Sequence, residues 1–228
     1  MMNENVLEQE DIKVGVIQKS MRRRVYLVIK RVFDIFASLV GCVFLIPITI
    51  FIKIATMLTG DFSSIFFTQN RIGKDGVEFK LYKFRSMIPN ADEVLFKLLK
   101  KNKRMALEYK KNKKLKNDPR ITKIGKLIRK TSIDELPQLI NVLKGDMSMI
   151  GNRPYLPREK EDMGEYYDDI VRTKPGITGY WQVSGRSNVS FENRLKLESY
   201  YSKHNGLRFD IKIFFKTISV VLFGKGAN

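Results

Sequence analysis

Cysteine and histidine are nearly absent, with Cys42 and His204 the single copies in 228 residues. One cysteine rules out an intrachain disulfide, which fits a reducing compartment better than an oxidising one. One histidine argues against a His-based catalytic triad or a His-rich zinc site, so acid-base and nucleophilic work falls to carboxylates, hydroxyls or amines. Acidic residues are scarce too: 24 Asp and Glu stand against 42 Lys and Arg, a formal charge of +18. Such a surplus points to polyanionic partners, whether phosphorylated substrates, anionic lipid headgroups or nucleic acid. The sequence also lacks an internal repeat, a Walker loop, zinc-ligand spacing and a dinucleotide fingerprint. Its length suits one sizeable domain.

What the chain does contain begins with a charge-free run of eighteen residues, IFASLVGCVFLIPITIFI, from Ile35 to Ile52. That approaches the ~20 residues a spanning helix needs. It starts late and no small-x-small pattern follows, unlike a cleaved signal peptide. Arg22, Arg23, Arg24, Lys30 and Arg31 precede it, and Lys53, Arg71, Lys74, Lys80, Lys83 and Arg85 follow. Basic residues on both sides mark both flanks as cytoplasmic, which a simple span does not do. Pro47 removes a backbone donor inside the run and is expected to bend it there. The expectation is a helix-break-helix that enters and leaves one membrane face, with an ordinary kinked transmembrane helix as the competing reading.

Residues 1–24 read as a flexible tail and 25–228 as a single domain, with the membrane segment at about 30–58. SIFFTQ (64–69) and VEFKLYKF (77–84), separated by RIGKDG, read as a β-hairpin because the second run alternates apolar and polar residues. Residues 97–130 hold fifteen Lys or Arg against Glu108 and Asp118, or +13. Within and beside that stretch, Val94, Leu95, Leu98 and Leu99, and again Ile121, Ile124, Leu127 and Ile128, recur at helical spacing, as in helices lying in an anionic headgroup plane. A further interfacial or core helix is expected from Phe209.

The sequence IDELPQ (133–138) sets Asp134 and Glu135 ahead of Pro137. Pro137 fits a first helical turn, Asp134 is a natural N-cap, and Gly145 a stop after Lys144. Capping alone accounts for the pair. The same position, close in sequence to Arg129 and Lys130, also suits an ionised nucleophile or Mg²⁺ ligand facing a phosphate.

Four longer runs follow the apolar segment in order: YKFRSM (82–87), SIDELPQLINVLKGDMSMIGNRP (132–154), KPGITGYWQVSGRS (174–187) and DIKIFFKT (210–217). Together they resemble the monotopic phosphoglycosyl transferases, the bacterial sugar transferase family, from about Arg31 to Val221. The resemblance implies an α+β, mainly helical fold: a membrane-associated core with a re-entrant N-terminal segment broken at Pro47, a small β-hairpin and interfacial amphipathic helices. It implies transfer of a sugar phosphate from a UDP-sugar to polyprenol (undecaprenyl) phosphate with release of UMP, at the cytoplasmic face of the bacterial inner membrane. That reaction initiates capsule, exopolysaccharide, O-antigen or glycoprotein glycan assembly. Asp134 would be the nucleophile forming a covalent aspartyl intermediate, Glu135 its acid-base or metal-assisting neighbour, and Mg²⁺ the cofactor held by the pair. Lys83 and Arg129 match positions near the reacting centre. Arg85, Arg153, Pro154 and Arg186 would contact substrate. Anionic membrane lipid is an expected partner, a homo-oligomer is allowed, and nucleic acid is not expected.

Two residues depart from the family pattern. Asn152 replaces the first proline of GPRP, which should leave that turn less rigid. Ile46 replaces the serine before Pro47, so carbonyls freed by a bend would rely on Thr49 or others. The alternatives to transfer are a membrane-tethered basic protein that binds nucleic acid or anionic lipid, and an inactive scaffold member of the family. The sugar cannot be read from the residues.

Overall fold

The computed structural model describes residues 2–112, 115–185 and 189–223, with side chains described for 20–110, 115–185 and 189–220. It is mainly helical. A single helix, α1 (Met2–Leu58), leads the chain, and its stretch from Ser20 to Leu58 is long and apolar enough to cross a membrane. The helix is continuous back to Met2, where a loose tail was expected. Residues 2–19 contain no proline and only Gly15, so nothing in them breaks a helix.

The expected division at Pro47 is also absent, since α1 runs through it uninterrupted. A mid-helix proline costs about 3 kcal/mol through its missing donor and its clash with the preceding turn. Packing around it offsets that. Leu45, Ile48 and Ile52 lie in one cluster with Ile65, Phe84, Ile124, Ile128, Ile133 and Leu136, and Thr49 donates to the Leu45 carbonyl at 2.7 Å.

One stripe of α1 is buried at Tyr26, Asp34, Ser38, Leu45, Ile52 and Thr56. Polar contacts fasten its first half. Arg31 donates to the carbonyls of Val142 and Leu143 at 2.6 and 2.8 Å, Lys30 to that of Ile150 at 2.8 Å, and Asp34 accepts from Met149 N and Ser148 Oγ. The opposite stripe faces outward with Phe36, Val43 and Phe51 each about two-thirds exposed.

The hairpin forms as expected: β1 (Phe66–Ile72) pairs antiparallel with β2 (Glu78–Phe84), from Phe66 opposite Phe84 to Ile72 opposite Glu78. Three helices follow: α2 (Ala91–Lys101), α3 (Lys103–Asn112) and α4 (Lys123–Lys130). The Thr122 hydroxyl caps α4 by accepting from Gly125 N at 2.9 Å. After a 3₁₀ turn (Ile133–Glu135) comes α5 (Gln138–Lys144), stopped by Gly145 at φ 91°. A second, parallel pair joins β3 (Ser148–Ile150) to β4 (Gly176–Thr178), with short helices α6 (Lys160–Met163) and α7 (Tyr167–Val171) between them. Helices α8 (Tyr180–Val183), α9 (Phe191–His204) and α10 (Leu207–Phe223) complete the fold.

Glycine is required where these strands meet. A Cβ on Gly176 would come within 2.0 Å of Gly151 N, and one on Gly179 within 2.0 Å of Gly151 O. The contact locks residues 151–154 against 176–179.

Candidate active site

The Asp134–Glu135 pair does not cap a helix. Ser132 adopts the left-handed conformation (φ 59°) after α4, the 3₁₀ turn follows, and α5 begins only at Gln138 with no side-chain cap. Ile133 and Leu136 are thereby committed to the cluster under α1, and the acidic side chains between them diverge. Asp134 lies on the wall of a cavity of about 840 Å³, which also meets Lys83, Arg71, Arg85, Arg129 and Arg153. Glu135 turns the other way, into a small adjoining pocket with Arg71, Lys83, Arg153 and Gln182. There Lys83 Nζ sits 2.8 Å from Glu135 Oε1.

The two carboxyl groups respond in opposite directions. Burial pushes Asp134 up from the ordinary carboxylate value to about 6, more than the opposing pull of Lys83 and Arg129. Residue 134 is 8% exposed, and no hydrogen bond from another side chain reaches its carboxylate among the described residues. For Glu135 burial also acts upward, but the charge and hydrogen bond of Lys83, with Arg153 and Arg71, outweigh it and leave the group below its usual range. The expectation of an ionised Asp134 at neutral pH stands, with burial rather than the nearby cations as the larger influence. It is ionised at neutral pH, but desolvated.

The cations differ in what they have left to give. Arg129 donates Nε to Ser86 Oγ at 2.8 Å. Arg153 has a buried Nε with no partner. Arg85 is already engaged by the carbonyls of Ser64 and Met87 and by Asp61 Oδ2, so it fastens the hairpin to the end of α1 and has little left for a substrate. Pro154 offers its carbonyl to Arg71 NH1 at 3.1 Å. Arg186, the remaining expected contact, lies outside the described residues.

Asn152 does not loosen its turn. Its Nδ2 donates to the Ile170 carbonyl at 3.1 Å and to Ser202 Oγ at 2.6 Å, with Thr173 Oγ1 at 3.3 Å. A buried side-chain amide thus ties residues 151–154 to α7 and α9, where the family proline would have fixed only φ.

Three buried charged residues escaped the sequence reading. Arg71 lies in the wall with its pKa lowered to about 10, by burial first and then by Arg153. Glu198 accepts from Arg153 N at 2.9 Å, and burial pushes its carboxyl up to about 7. Arg194 stacks its guanidinium over Trp181, 4.4 Å from the ring centroid. A signal existed for the last two: Arg194, Leu195, Glu198, Ser199 and Tyr201 share one buried face of α9, at a spacing where charged residues are not expected without a partner to serve.

A divalent cation is a matter of fit. Among the described residues no cluster of three or more His, Cys, Asp or Glu side chains could cage a metal. Mg²⁺ asks for less, since it keeps several waters and binds through one or two carboxylates plus substrate phosphates. Asp134, free and facing the cavity, meets that requirement. Glu135, bound by Lys83, does not.

The sequence profile of the family described as bacterial sugar transferase matches residues 25–224. The chain is 44% identical over 211 residues to the undecaprenyl-phosphate galactose phosphotransferase of Salmonella typhimurium, covering 92% of this chain and 44% of that protein. It is 37% identical over 212 residues to the UDP-N-acetylgalactosamine-undecaprenyl-phosphate N-acetylgalactosaminephosphotransferase of Aeromonas hydrophila, covering 90% and 46%. With the exopolysaccharide production protein ExoY of Rhizobium meliloti it shares 40% identity over 202 residues, covering 87% of each. The chain therefore spans about half the length of the two phosphotransferases and most of ExoY.

Proposed function

The chain belongs to the bacterial sugar transferase family, and on that footing we propose that it transfers a sugar 1-phosphate from a UDP-sugar to polyprenol phosphate, releasing UMP, through a covalent intermediate on Asp134. One observation carries this reading: a buried, ionised and otherwise unengaged carboxylate faces a cavity of about 840 Å³ whose walls supply Lys83, Arg129, Arg71 and Arg153. A cavity of that size accommodates a nucleotide sugar. The cations offset the repulsion between an attacking carboxylate and a diphosphate.

In the first step an Asp134 carboxylate oxygen forms a bond to the phosphorus bearing the sugar, and the bond from that phosphorus to the bridging oxygen breaks, expelling UMP. In the second, a phosphate oxygen of the polyprenol phosphate attacks the same phosphorus and frees Asp134. The acceptor is already an anion at neutral pH, so no general base is needed. Glu135 accordingly serves by holding Lys83 at the diphosphate. Asp134 would hold Mg²⁺ together with the substrate, and the cation would supply further neutralisation of developing charge there.

The attachment of α1 supports a reading of the membrane geometry. Lys30 and Arg31 before the apolar run, and Leu45 and Ile52 within it, all contact the same folded body. A helix crossing the bilayer would carry its distal part away from that body. We infer that α1, unbroken at Pro47, lies within one leaflet at the cytoplasmic face of the inner membrane with its outward stripe in lipid, instead of entering and returning through a break. Two-sided labelling of single cysteines placed at positions 24 and 60, in a Cys42→Ser background, is expected to modify both from the same side.

The direct test is UMP release from UDP-galactose and UDP-N-acetylgalactosamine with undecaprenyl phosphate. Asp134→Asn is expected to abolish it and to remove a phosphosugar mass adduct from the protein. Near-wild-type turnover in that variant would discard the covalent mechanism. Turnover with neither donor leaves other UDP-sugars to be tried in the same assay, and failure across the panel discards transfer.

A further inference from the structure

Far from the catalytic cavity, the first part of the apolar helix runs beside α10. Arg23 donates to the backbone carbonyl of Asn205, just ahead of α10, Lys30 pairs with Asp210, and Phe33 meets Phe214 edge-on at 5.5 Å between centroids. The helices are parallel, and between them lies a second cavity of about 390 Å³, walled by Ile29, Phe33, Leu207, Ile211, Phe214 and Phe215.

The floor of this groove is polar but closed. Asp210 accepts from Tyr26 OH at 2.9 Å, from Tyr201 OH at 2.8 Å and from Lys30, which also donates to the Ile150 carbonyl at 2.8 Å. These groups satisfy one another, so nothing on the floor asks for a polar ligand. The apolar walls of the groove suit hydrocarbon.

The two ends of the groove differ. At the end where α10 starts, Arg22 extends the Tyr26, Ile29, Phe33 stripe one turn back along α1, and Arg208 follows Leu207. Both are exposed and neither has a carboxylate partner among the described residues. Toward the other end, Phe33, Phe36 and Phe215 lead onto the outward apolar stripe of α1. Cations at one end and aromatic rings at the other match an anionic headgroup with its chain pointing into the membrane.

We propose that the groove between α1 and α10 binds one anionic membrane phospholipid, its acyl chain along Ile29, Phe33 and Ile211 and its headgroup phosphate on Arg22 and Arg208. The site is distinct from the catalytic cavity, because no residue lines both, and the α1 residues clustered with Ile133 and Leu136, the neighbours of the acidic pair, begin at Leu45, roughly 16 Å along the helix from Asp34 at 1.5 Å per residue. It does not rest on the transferase reading. A lipid held there would fix how deeply α1 sits in the leaflet.

Native mass spectrometry of the full chain in mild detergent, titrated separately with palmitoyl-oleoyl phosphatidylglycerol and its phosphatidylcholine analogue, tests this. The wild type is expected to retain one phosphatidylglycerol, at least about tenfold more readily than phosphatidylcholine. Ile211→Trp fills the groove at a residue 47% exposed, and should lose both lipids. Arg22→Gln with Arg208→Gln should lose only the preference. Thermal unfolding monitors each fold, with Ile29→Phe as the second filling variant should Ile211→Trp unfold. Equal retention of the two lipids by the wild type overturns the proposal, as does undiminished retention in a folded, filled variant. A dimer mass that filling abolishes would overturn it in favour of a second copy of the chain. Since UMP is not measured, a failed transferase assay leaves this result standing.

Discussion

Replacing Asp134 with asparagine should make the protein more stable at neutral pH while removing its chemistry. The carboxyl is moved from 3.8 to about 6 by burial, and each pKa unit corresponds to 1.36 kcal/mol, so ionised Asp134 opposes the fold by about 3 kcal/mol. The sign follows from the raised value. Relative to the unfolded chain, the folded state favours protonated Asp134, so the group is neutral toward stability below about pH 4. Its cost grows as pH rises from there through 6 and is complete above. Asparagine has nearly the same shape and no charge to desolvate. Asp134→Asn is therefore expected to exceed the wild type by about 2–3 kcal/mol at pH 7.5, with the gap closing on the way to pH 4. Trp181, the single tryptophan and 9% exposed, provides the fluorescence signal for guanidinium unfolding in detergent across that range. Glu198, raised to about 7, titrates in both proteins and drops out of the difference. A gap that does not change with pH, or a variant less stable at pH 7.5, would refute the claim that desolvated charge sits at this position.

Lys83→Met removes the largest influence holding Asp134 down, and an opposite charge at close range is worth one to three units. The acid limb of kcat against pH should move up by about one to two units, and an unmoved limb with only a lower plateau would show that Lys83 acts on substrate alone. Asn152→Ala strips donors from the Ile170 carbonyl and Ser202. It should cost about 2 kcal/mol of stability and raise KM for the UDP-sugar more than it lowers kcat, measured in the UMP assay.

The sequence made the hairpin legible because Val77, Phe79 and Leu81 alternate with polar neighbours, and alternation is a strand's own period. Gly145 was legible for an equally local reason, since the left-handed stop of α5 favours glycine. Asp134 was misplaced because its surroundings are not local. Ser132 takes a left-handed conformation that a capping pattern does not announce, and Ile133 and Leu136 are drawn to partners on α1, β2 and α4. The β3–β4 pair escaped notice because three-residue strands carry no period. Its requirement is written in Gly151, Gly176 and Gly179, which become readable only once the two segments are known to touch. Lys30 and Arg31 read as flank charges, yet both bond backbone carbonyls of the folded body.

The wall behind Arg153 shows why such residues escape pattern reading. The Nε atoms of Arg71, Arg153 and Arg194 are buried without protein partners, and each such group costs about 1–3 kcal/mol. A chain selected only for stability would replace them with apolar side chains of similar volume. Their persistence is understandable if the wall is built for a ligand that supplies the missing charge. A diphosphate bound in front of Arg71 and Arg153 would meet cations that already repel one another, so its binding relieves strain in the empty site as well as forming new contacts. Glu198 accepts from the backbone N–H of Arg153 at 2.9 Å. Glu198 thus fixes the backbone of Arg153, and the guanidinium, whose Nε has no protein partner, remains available to an anion from the cavity.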